Sequence, residues 1–359
     1  MIITAIIVEY NPFHNGHLYH LQKARELTNC DLLIAIMSTY FNQRGDISII
    51  DKKEKCYQAI KHGVDMVIEL PYYYSLSAAD LFAKGAIKIL KKLKVDYLVF
   101  GSETNNLINL KEIAELNINV NHLKELIKKG NSYPKAYSLL ADSFYPNDIL
   151  GIAYLKALMN TKIKALSIKR TNHYHSDKIA KISSASAIRK ALEQKRDYTK
   201  ALDYKITKPI FNDSLFNYLK LCLFTMSEKE LSKIYLVSEG IHNHLLKNIN
   251  KVDNLDDFLK LTTTRRYTKA RLMRIIVNII HNFTKSDFNY FRRLNIIRLL
   301  AFNDNARPYL KNNKIIIKKF KDLNEKYKTL AIKTASIYGL CANDQAIIKK
   351  ELSAPYYFK

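Results

Sequence analysis

The chain has no tryptophan, four cysteines, nine glycines and only 33 acidic residues against 58 basic ones in 359. Cys30, Cys56, Cys222 and Cys341 stand singly, without a CxxC pair or a disulfide-dense spacing, which excludes a disulfide scaffold and leaves no local thiol set for zinc. They read as packing residues, and no metal site is expected. Long apolar runs are missing too. Ile2–Val8, interrupted by Thr4, falls far short of the ~20 residues that cross a bilayer, so no transmembrane helix is expected. The N-terminus has no basic leader region and meets Glu9 and Tyr10 before any small-residue cleavage site, a cytoplasmic pattern. A hydrophobic content of 48% excludes wholesale disorder, and the length suggests two domains, each able to bury a core.

The formal charge of +25 is unevenly spread. Residues 1–150 hold 17 basic and 16 acidic side chains, whereas those after 150 hold 41 and 17, so nearly the whole excess lies in the second part. A genomic bias toward lysine would act everywhere and would not leave the first part neutral. A polyanion-binding surface explains the asymmetry better, with nucleic acid the first candidate.

Short apolar, β-branched runs recur at Ile2–Val8, Asp31–Met37, Val64–Leu70, Val95–Phe100 and Ile163–Ile168. Their length and composition fit strands buried on both faces. Helical patterns lie between them at Leu18–Leu27, at Lys52–Lys61 closed by Gly63, and at Ala78–Leu93. The alternation predicts an α/β fold with a parallel sheet, whose ligand would sit outside the carboxyl ends of the strands. Seven of the nine glycines lie at or before Gly151. From about 201 onward the patterns are helical: Leu215–Thr225, Ser227–Val237, Ile241–Asn248, Leu255–Leu261, Thr268–Phe283 and Lys285–Leu300. A mostly α-helical second domain is expected, with a junction near Asp203–Pro209.

Directly after the first strand comes Glu9-Tyr10-Asn11-Pro12-Phe13-His14-Asn15-Gly16-His17, and then a helical pattern. A strand-to-helix turn at the carboxyl edge presents helix N–H groups and the positive dipole end, where phosphate binds. Gly16 permits close backbone approach, and His14 and His17 can hydrogen-bond phosphate oxygens and stabilise a departing pyrophosphate. A second element, Ile182-Ser183-Ser184-Ala185-Ser186-Ala187-Ile188-Arg189, offers Ser183, Ser184 or Ser186 as a helix cap and Arg189 as a donor fork one turn in. By itself it is equally an ordinary cap with a solvated arginine.

His14-Asn15-Gly16-His17 resembles the HxGH signature of the nucleotidyltransferase superfamily, and the Ser-rich element ending in Arg189 resembles that superfamily's triphosphate-contacting helix start. More specifically, the blocks Val8–His20, Gln43-Arg44-Gly45, Ile68-Glu69-Leu70-Pro71, Phe100-Gly101-Ser102-Glu103 and Pro146–Gly151 resemble the tRNA(Met) cytidine acetate ligase family. So do Ser238-Glu239-Gly240, Arg266-Tyr267-Thr268 through Arg271, and Ile297-Arg298-Leu299-Leu300, which extends the likeness from residue 1 to about 300. The resemblance implies a Rossmann-like nucleotidyltransferase domain over 1–203 and a helical, basic, tRNA-binding domain over 204–359. It implies an ATP-dependent ligase that forms acetyladenylate and transfers acetyl to N4 of the wobble cytidine of elongator tRNA(Met). The partners are then that tRNA and acetate, with no membrane, and Mg²⁺ is expected to bind through the ATP phosphates. ATP contacts are implied at Ile7, Val8, Glu9, Tyr10, Asn11, Pro12, Phe13, His14, Asn15, Gly16, His17, Leu18, Tyr19 and His20, and at Gly101, Asn147, Arg170, Ser184 and Arg189. His14 and His17 are the implied catalytic pair.

Gly101 ends a predicted strand where a side chain would collide with adenosine, Asn147 would read ribose or base edges, and Arg170 would direct a cation at phosphate. Thr39 stands where the family is expected to have glycine, which predicts a reshaped loop. Arg265, Arg266, Lys269, Arg271 and Arg274 are too close together to share one core face and are read as an RNA-backbone cluster. Asn172-His173-Tyr174-His175 lacks Cys or carboxylate partners and reads as loop beside the ATP site, and Tyr72-Tyr73-Tyr74 as a packed loop. Two other readings stay open. One is a small-substrate adenylyltransferase of the pantetheine-phosphate or nicotinate-nucleotide type, which the length and charge of the second part disfavour. The other is a non-catalytic RNA-binding protein.

Overall fold

A computed structural model describes residues 1–115, 125, 129, 145–170 and 179–359. In the first part, β1 (Ile3–Val8), α1 (Asn15–Thr28), β2 (Leu32–Ser38), α2 (Lys52–Lys61), β3 (Met66–Leu70), α3 (Tyr72–Ser75), α4 (Ala79–Lys92), β4 (Tyr97–Ser102), α5 (Leu107–Glu115), α6 (Pro146–Leu158), β5 (Lys164–Lys169) and α7 (Ala185–Glu193) alternate as expected. The second part supplies α8 (Phe216–Thr225), α9 (Glu228–Lys233), α10 (Ile241–Asn248), α11 (Leu255–Thr262), α12 (Lys269–Ile280), α13 (Lys285–Phe291), β6 (Leu299–Phe302), α14 (Arg307–Asn312), α15 (Glu325–Ala342), α16 (Ala346–Leu352) and β7 (Tyr356–Tyr357).

The seven strands are ordered β5-β4-β1-β2-β3-β6-β7. All neighbours are parallel except β3 and β6. Chain order reverses at β1, which lies between β2 and β4, so the crevice beyond the carboxyl ends of β1 and β4 is the ligand position such sheets offer. Both faces of β1 are buried. Ile3 and Ala5 join the core that contains Phe82 and Leu90 of α4, while Ile6 and Val8 join that of Leu21 and Ala24 of α1. That double burial is why these strands read as unbroken apolar runs.

The sequence expectation of one helix over Lys285–Leu300 is corrected. The helix stops at Phe291, and Leu299–Phe302 leaves the helical region to pair antiparallel with β3. Leu299, Leu300 and Ala301 are β-compatible and buried against the sheet, so tertiary pairing overrides a pattern that continues the helical period. Apolar packing also runs unbroken from the sheet into Leu219, Phe258, Ile276 and Phe288 of the helical region.

A buried ionic clasp fixes the end of the chain. Arg298 pairs with Glu69 of β3 at 3.3 Å and with Glu351 of α16, which also pairs with Lys52 and accepts the Tyr40 hydroxyl at 2.7 Å. Burial by itself would raise the Glu351 carboxyl, but Lys52 and Arg298 hold it below its ordinary range. The Ile68–Pro71 and Ile297–Leu300 blocks thus meet as partners in the clasp. Tyr72, Tyr73 and Tyr74 are buried in α3, with the Tyr72 hydroxyl donating to Asn278 and that of Tyr74 to the Arg292 carbonyl.

Candidate functional site: a two-armed cleft at the β1–β4 crossover

The first arm begins with an unusual helix cap. Ser, Thr, Asp or Asn ordinarily caps a helix N-terminus. Here His14 does so, its Nδ1 accepting the Gly16 N–H at 3.0 Å, while His17 Nδ1 accepts the His14 N–H at 3.3 Å. Because each Nδ1 is an acceptor, each neutral ring carries its proton on Nε2. The rings stack with centroids 3.8 Å apart. Burial, reinforced by Arg170 and Arg189, lowers the His14 pKa to about 3. Burial and the neighbouring His14 and Arg170 put His17 well below its usual value, and burial lowers His20 to about 4. The arm therefore presents neutral imidazole donors at the positive end of a 14-residue helix. Gly16 has a more local task than close approach to a ligand. A Cβ there would lie 2.9 Å from His14 Cε1 and push the ring off its cap.

The other walls of this arm are fixed by their own contacts. Gly101 lies one residue before the end of β4, and a Cβ there would lie 3.3 Å from Cγ of Arg170. Gly101 and Arg170 are therefore neighbours on the cleft wall. Asn147 and Asp148 open α6 and are clasped by the β4 loop. Glu103 accepts the Asn147 side chain and the Asp148 N–H, while Asp148 accepts from the Ser102 hydroxyl and the N–H groups of Glu103 and Thr104. Ser184 is the serine that caps α7, accepting from Ala187 N–H at 3.2 Å. Arg189 Nη1 donates to the Asn11 carbonyl at 2.8 Å and faces Asp46 at 3.7 Å. The Asn15 side chain reaches the Lys181 carbonyl at 2.7 Å, which bolts the Ser-rich element to the HxGH turn.

A cleft of about 860 Å³ gathers Ile7, Val8, Glu9, Tyr10, Asn11, His14, Gly16, His17, Tyr19, His20, Gly101, Asn147, Arg170, Ser184 and Arg189. Phe13 does not line it, stacking instead on His62 with centroids 4.6 Å apart, and Leu18 packs against the core. Pro12 follows a cis peptide bond and Asn15 acts as the tether just described; neither borders the cleft.

The second arm comes from the basic cluster. Arg266, Arg271 and Arg274 line the same cleft, whereas Arg265 is exposed beyond it and Lys269 is exposed and paired with Asp256 at 2.9 Å. Arg266 pairs with Glu239, and the Arg271 guanidinium lies 4.1 Å from the Tyr267 ring centroid and donates to Ser238 Oγ at 3.1 Å. Arg274 is half-buried and donates to the Gln43 carbonyl at 2.9 Å; burial, then Arg271, lowers its pKa to about 10. The join depends on Gly45. Its φ is +87°, and a Cβ would lie 2.6 Å from the Met273 and Arg274 backbone, so only glycine lets the 42–46 loop lie on α12. A sequence reading that assigned the arginines to a separate domain missed this junction, although Gln43-Arg44-Gly45 was the visible signal.

Eight cations and three carboxylates line the cleft, a balance that suits a polyanion. Thr39 takes no positive φ; its carbonyl accepts Lys55 Nζ at 2.8 Å. Burial raises the thiols of Cys56 to about 12 and Cys341 to about 11, which fits packing residues. His173 and His175 lie outside the described residues. Among the described residues no three His, Cys, Asp or Glu side chains cluster to hold a metal, and no helix is long and apolar enough to cross a membrane.

Comparison with known proteins identifies the family. The family described as HIGH Nucleotidyl Transferase matches residues 1–352. A tRNA(Met) cytidine acetate ligase of Staphylococcus aureus strain MRSA252 is 36% identical over 369 residues, covering 95% of this chain and 96% of the relative. A crystal structure of Thermotoga maritima TmcAL bound with alpha-thio ATP matches with a TM-score of 0.88 at 25% identity over 100% of both chains, and an apo form with 0.87 at 26%.

Proposed function

The chain belongs to the tRNA(Met) cytidine acetate ligase family, and we propose from that premise a mechanism in which its two-armed cleft runs two half-reactions in sequence. The protein is an ATP-dependent ligase. Acetate attacks the α-phosphate of ATP, giving acetyladenylate and pyrophosphate, and the N4 amine of the wobble cytidine of elongator tRNA(Met) then takes the acetyl group. The observation that carries the reading is the reciprocal His14–His17 cap at the β1–β4 crossover, in a cleft shared with Arg266, Arg271 and Arg274.

Charge builds on the leaving pyrophosphate in the first step. Nε2–H of His14 and His17, the α1 N-terminus and Arg189 are donors already fixed by their caps and tethers, so little reorganisation is needed as that charge develops. Neutral imidazoles suit this role because they donate without holding the product as a tight ion pair. Arg170 neutralises phosphate from the β5 edge. No protein cage for Mg²⁺ is built among the described residues, so the ion would ride on the triphosphate and offset its charge. Acetyladenylate is itself activated, so no cysteine nucleophile is needed.

For the second step, the wobble base is splayed from its loop and enters past the arginine arm. Residues 1–203 then carry ATP chemistry, and 204–359 carry most of the RNA-directed charge. Incubation with ATP, labelled acetate and total tRNA tests the reading. Acid-stable label in cytidine is expected; adenylylation of pantetheine phosphate or nicotinate nucleotide in its place would overturn it.

A further inference from the structure

The two arms meet at one carboxylate. Glu9 follows the last residue of β1, five positions before His14, and lines the cleft. Its Oε1 accepts the Gln43 N–H at 2.6 Å, and the Gln43 carbonyl receives Arg274 at 2.9 Å, so one residue connects Glu9 to the arginine arm. Among the described residues Oε2 accepts no hydrogen bond. The nearby ammonium of Lys55 is held by the Ser38 and Thr39 carbonyls at 2.6 and 2.8 Å and forms no ion pair with it. The other two carboxylates of the cleft are placed differently. Asp46 is engaged by Asn212 and Arg189, and Asp80 lies in the first turn of α4 near Lys156.

We propose that Glu9 is the general base for acetyl transfer, taking the proton of the cytidine N4 amine on Oε2 as that nitrogen attacks the acetyl carbonyl. The inference deepens the ligase reading and rests on it. The C–N bond forms, the bond from the acetyl carbon to the phosphate oxygen breaks with its electron pair leaving on AMP, and the proton passes from N4 to Glu9 and then to water. Nothing is oxidised or reduced. Desolvation is the main influence on Glu9 and raises its carboxyl above the ordinary range, with the Gln43 N–H, Lys55 and Arg44 opposing and Asp46 assisting; Tyr154 also faces it.

The test separates the half-reactions in Glu9→Gln, which keeps an acceptor for Gln43, and in Glu9→Asp, which keeps the charge but withdraws it. Acetate-dependent ATP–pyrophosphate exchange reads the first half. Single-turnover formation of N4-acetylcytidine from synthetic acetyladenylate and a tRNA(Met) transcript reads the second, with thermal melting as a check on folding. In Glu9→Gln, transfer should fall at least ~10²-fold more than exchange, the lower end of the range for a lost general base. The rise of the wild-type transfer rate with pH should flatten in that variant, and Glu9→Asp should recover part of the rate. Equal losses in both halves, or an unchanged pH profile, would overturn the role of Glu9. A wild-type protein that exchanges but transfers nothing from acetyladenylate would instead overturn the ligase reading, and this inference with it.

Discussion

Beneath the C-terminal helix, Glu69 and Glu351 meet Lys52 and Arg298 with Tyr40 in support, so buried charge is matched by buried charge. In the cleft, eight cations face three carboxylates, and the histidines are kept neutral by burial. The clasp matches its charges one for one, whereas the cleft is held together by caps and carbonyl acceptors and its lining carries more cations than carboxylates. Stability and function are thereby assigned to different ionic networks. Substitutions in the first should change folding, and those in the second should change chemistry.

The sharpest way to break that distinction is Glu351→Ala. Removing one partner of a buried network typically costs about 3–5 kcal/mol because the remaining charges lose their compensation. Urea denaturation should show a loss of that size, while the KM for ATP of the folded protein stays near wild type. In the cleft, His17→Ala should lower acetate-dependent ATP–pyrophosphate exchange by ~10²–10³-fold, the scale of one lost oxyanion donor. Its stability cost should stay near ~1 kcal/mol, that of a helix cap. Unchanged exchange would remove His17 from the mechanism.

Gly45→Ala tests the seam between the arms. Positive φ and a 2.6 Å approach to the α12 backbone predict a stability loss of about 1–3 kcal/mol and weaker acetyl transfer, measured by melting and by N4-acetylcytidine formation.

The pH dependence separates the networks by window, since both weaken as pH falls but over different ranges. His14, His20 and the buried His281, lowered to about 3, 4 and 3, are neutral in the folded chain but titrate near 6.5 when unfolded. The unfolded state binds more protons below that pH, so their contribution is complete above about 6.5 and falls away as pH drops, by at most ~1.4 kcal/mol per group per pH unit. Glu351, held below the ordinary glutamate value of 4.5, contributes fully above that pH and weakens only as pH falls below it. Between pH 7 and 5 the urea midpoint of the ligand-free protein should therefore drop through the histidines, with the clasp intact. The smallest effect expected concerns ATP. Raising salt should weaken tRNA binding with a steep log–log slope and change ATP binding much less, as read by filter binding and calorimetry. Equal slopes would end the division of labour between a general basic field and a few placed donors.

Much of this was legible in the residues. The five parallel strands were visible as apolar runs, β1 to β3 because they are buried on both faces and the half-buried edge strand β5 by its composition alone, and the HxGH turn because it follows the first strand directly. Less legible were features set by long-range pairing. Leu299–Phe302 continues a helical pattern locally, yet becomes strand because β3 offers an edge. The five-residue basic cluster read as one surface, but packing of the 42–46 loop against α12 turns Arg266, Arg271 and Arg274 into the cleft and leaves Arg265 and Lys269 outside it. The closeness of Gly101 to Arg170 was likewise not legible, because β4 and the end of β5 meet only in the sheet.

Local chemistry is enough to specify the cap and the alternating strands and helices, because hydrogen bonds three residues apart and two-faced burial are written in adjacent positions. The meeting of Glu9, Gln43 and Arg274 spans 265 positions of the chain. No local pattern records such a distance; the strand order and one glycine with positive φ decide it.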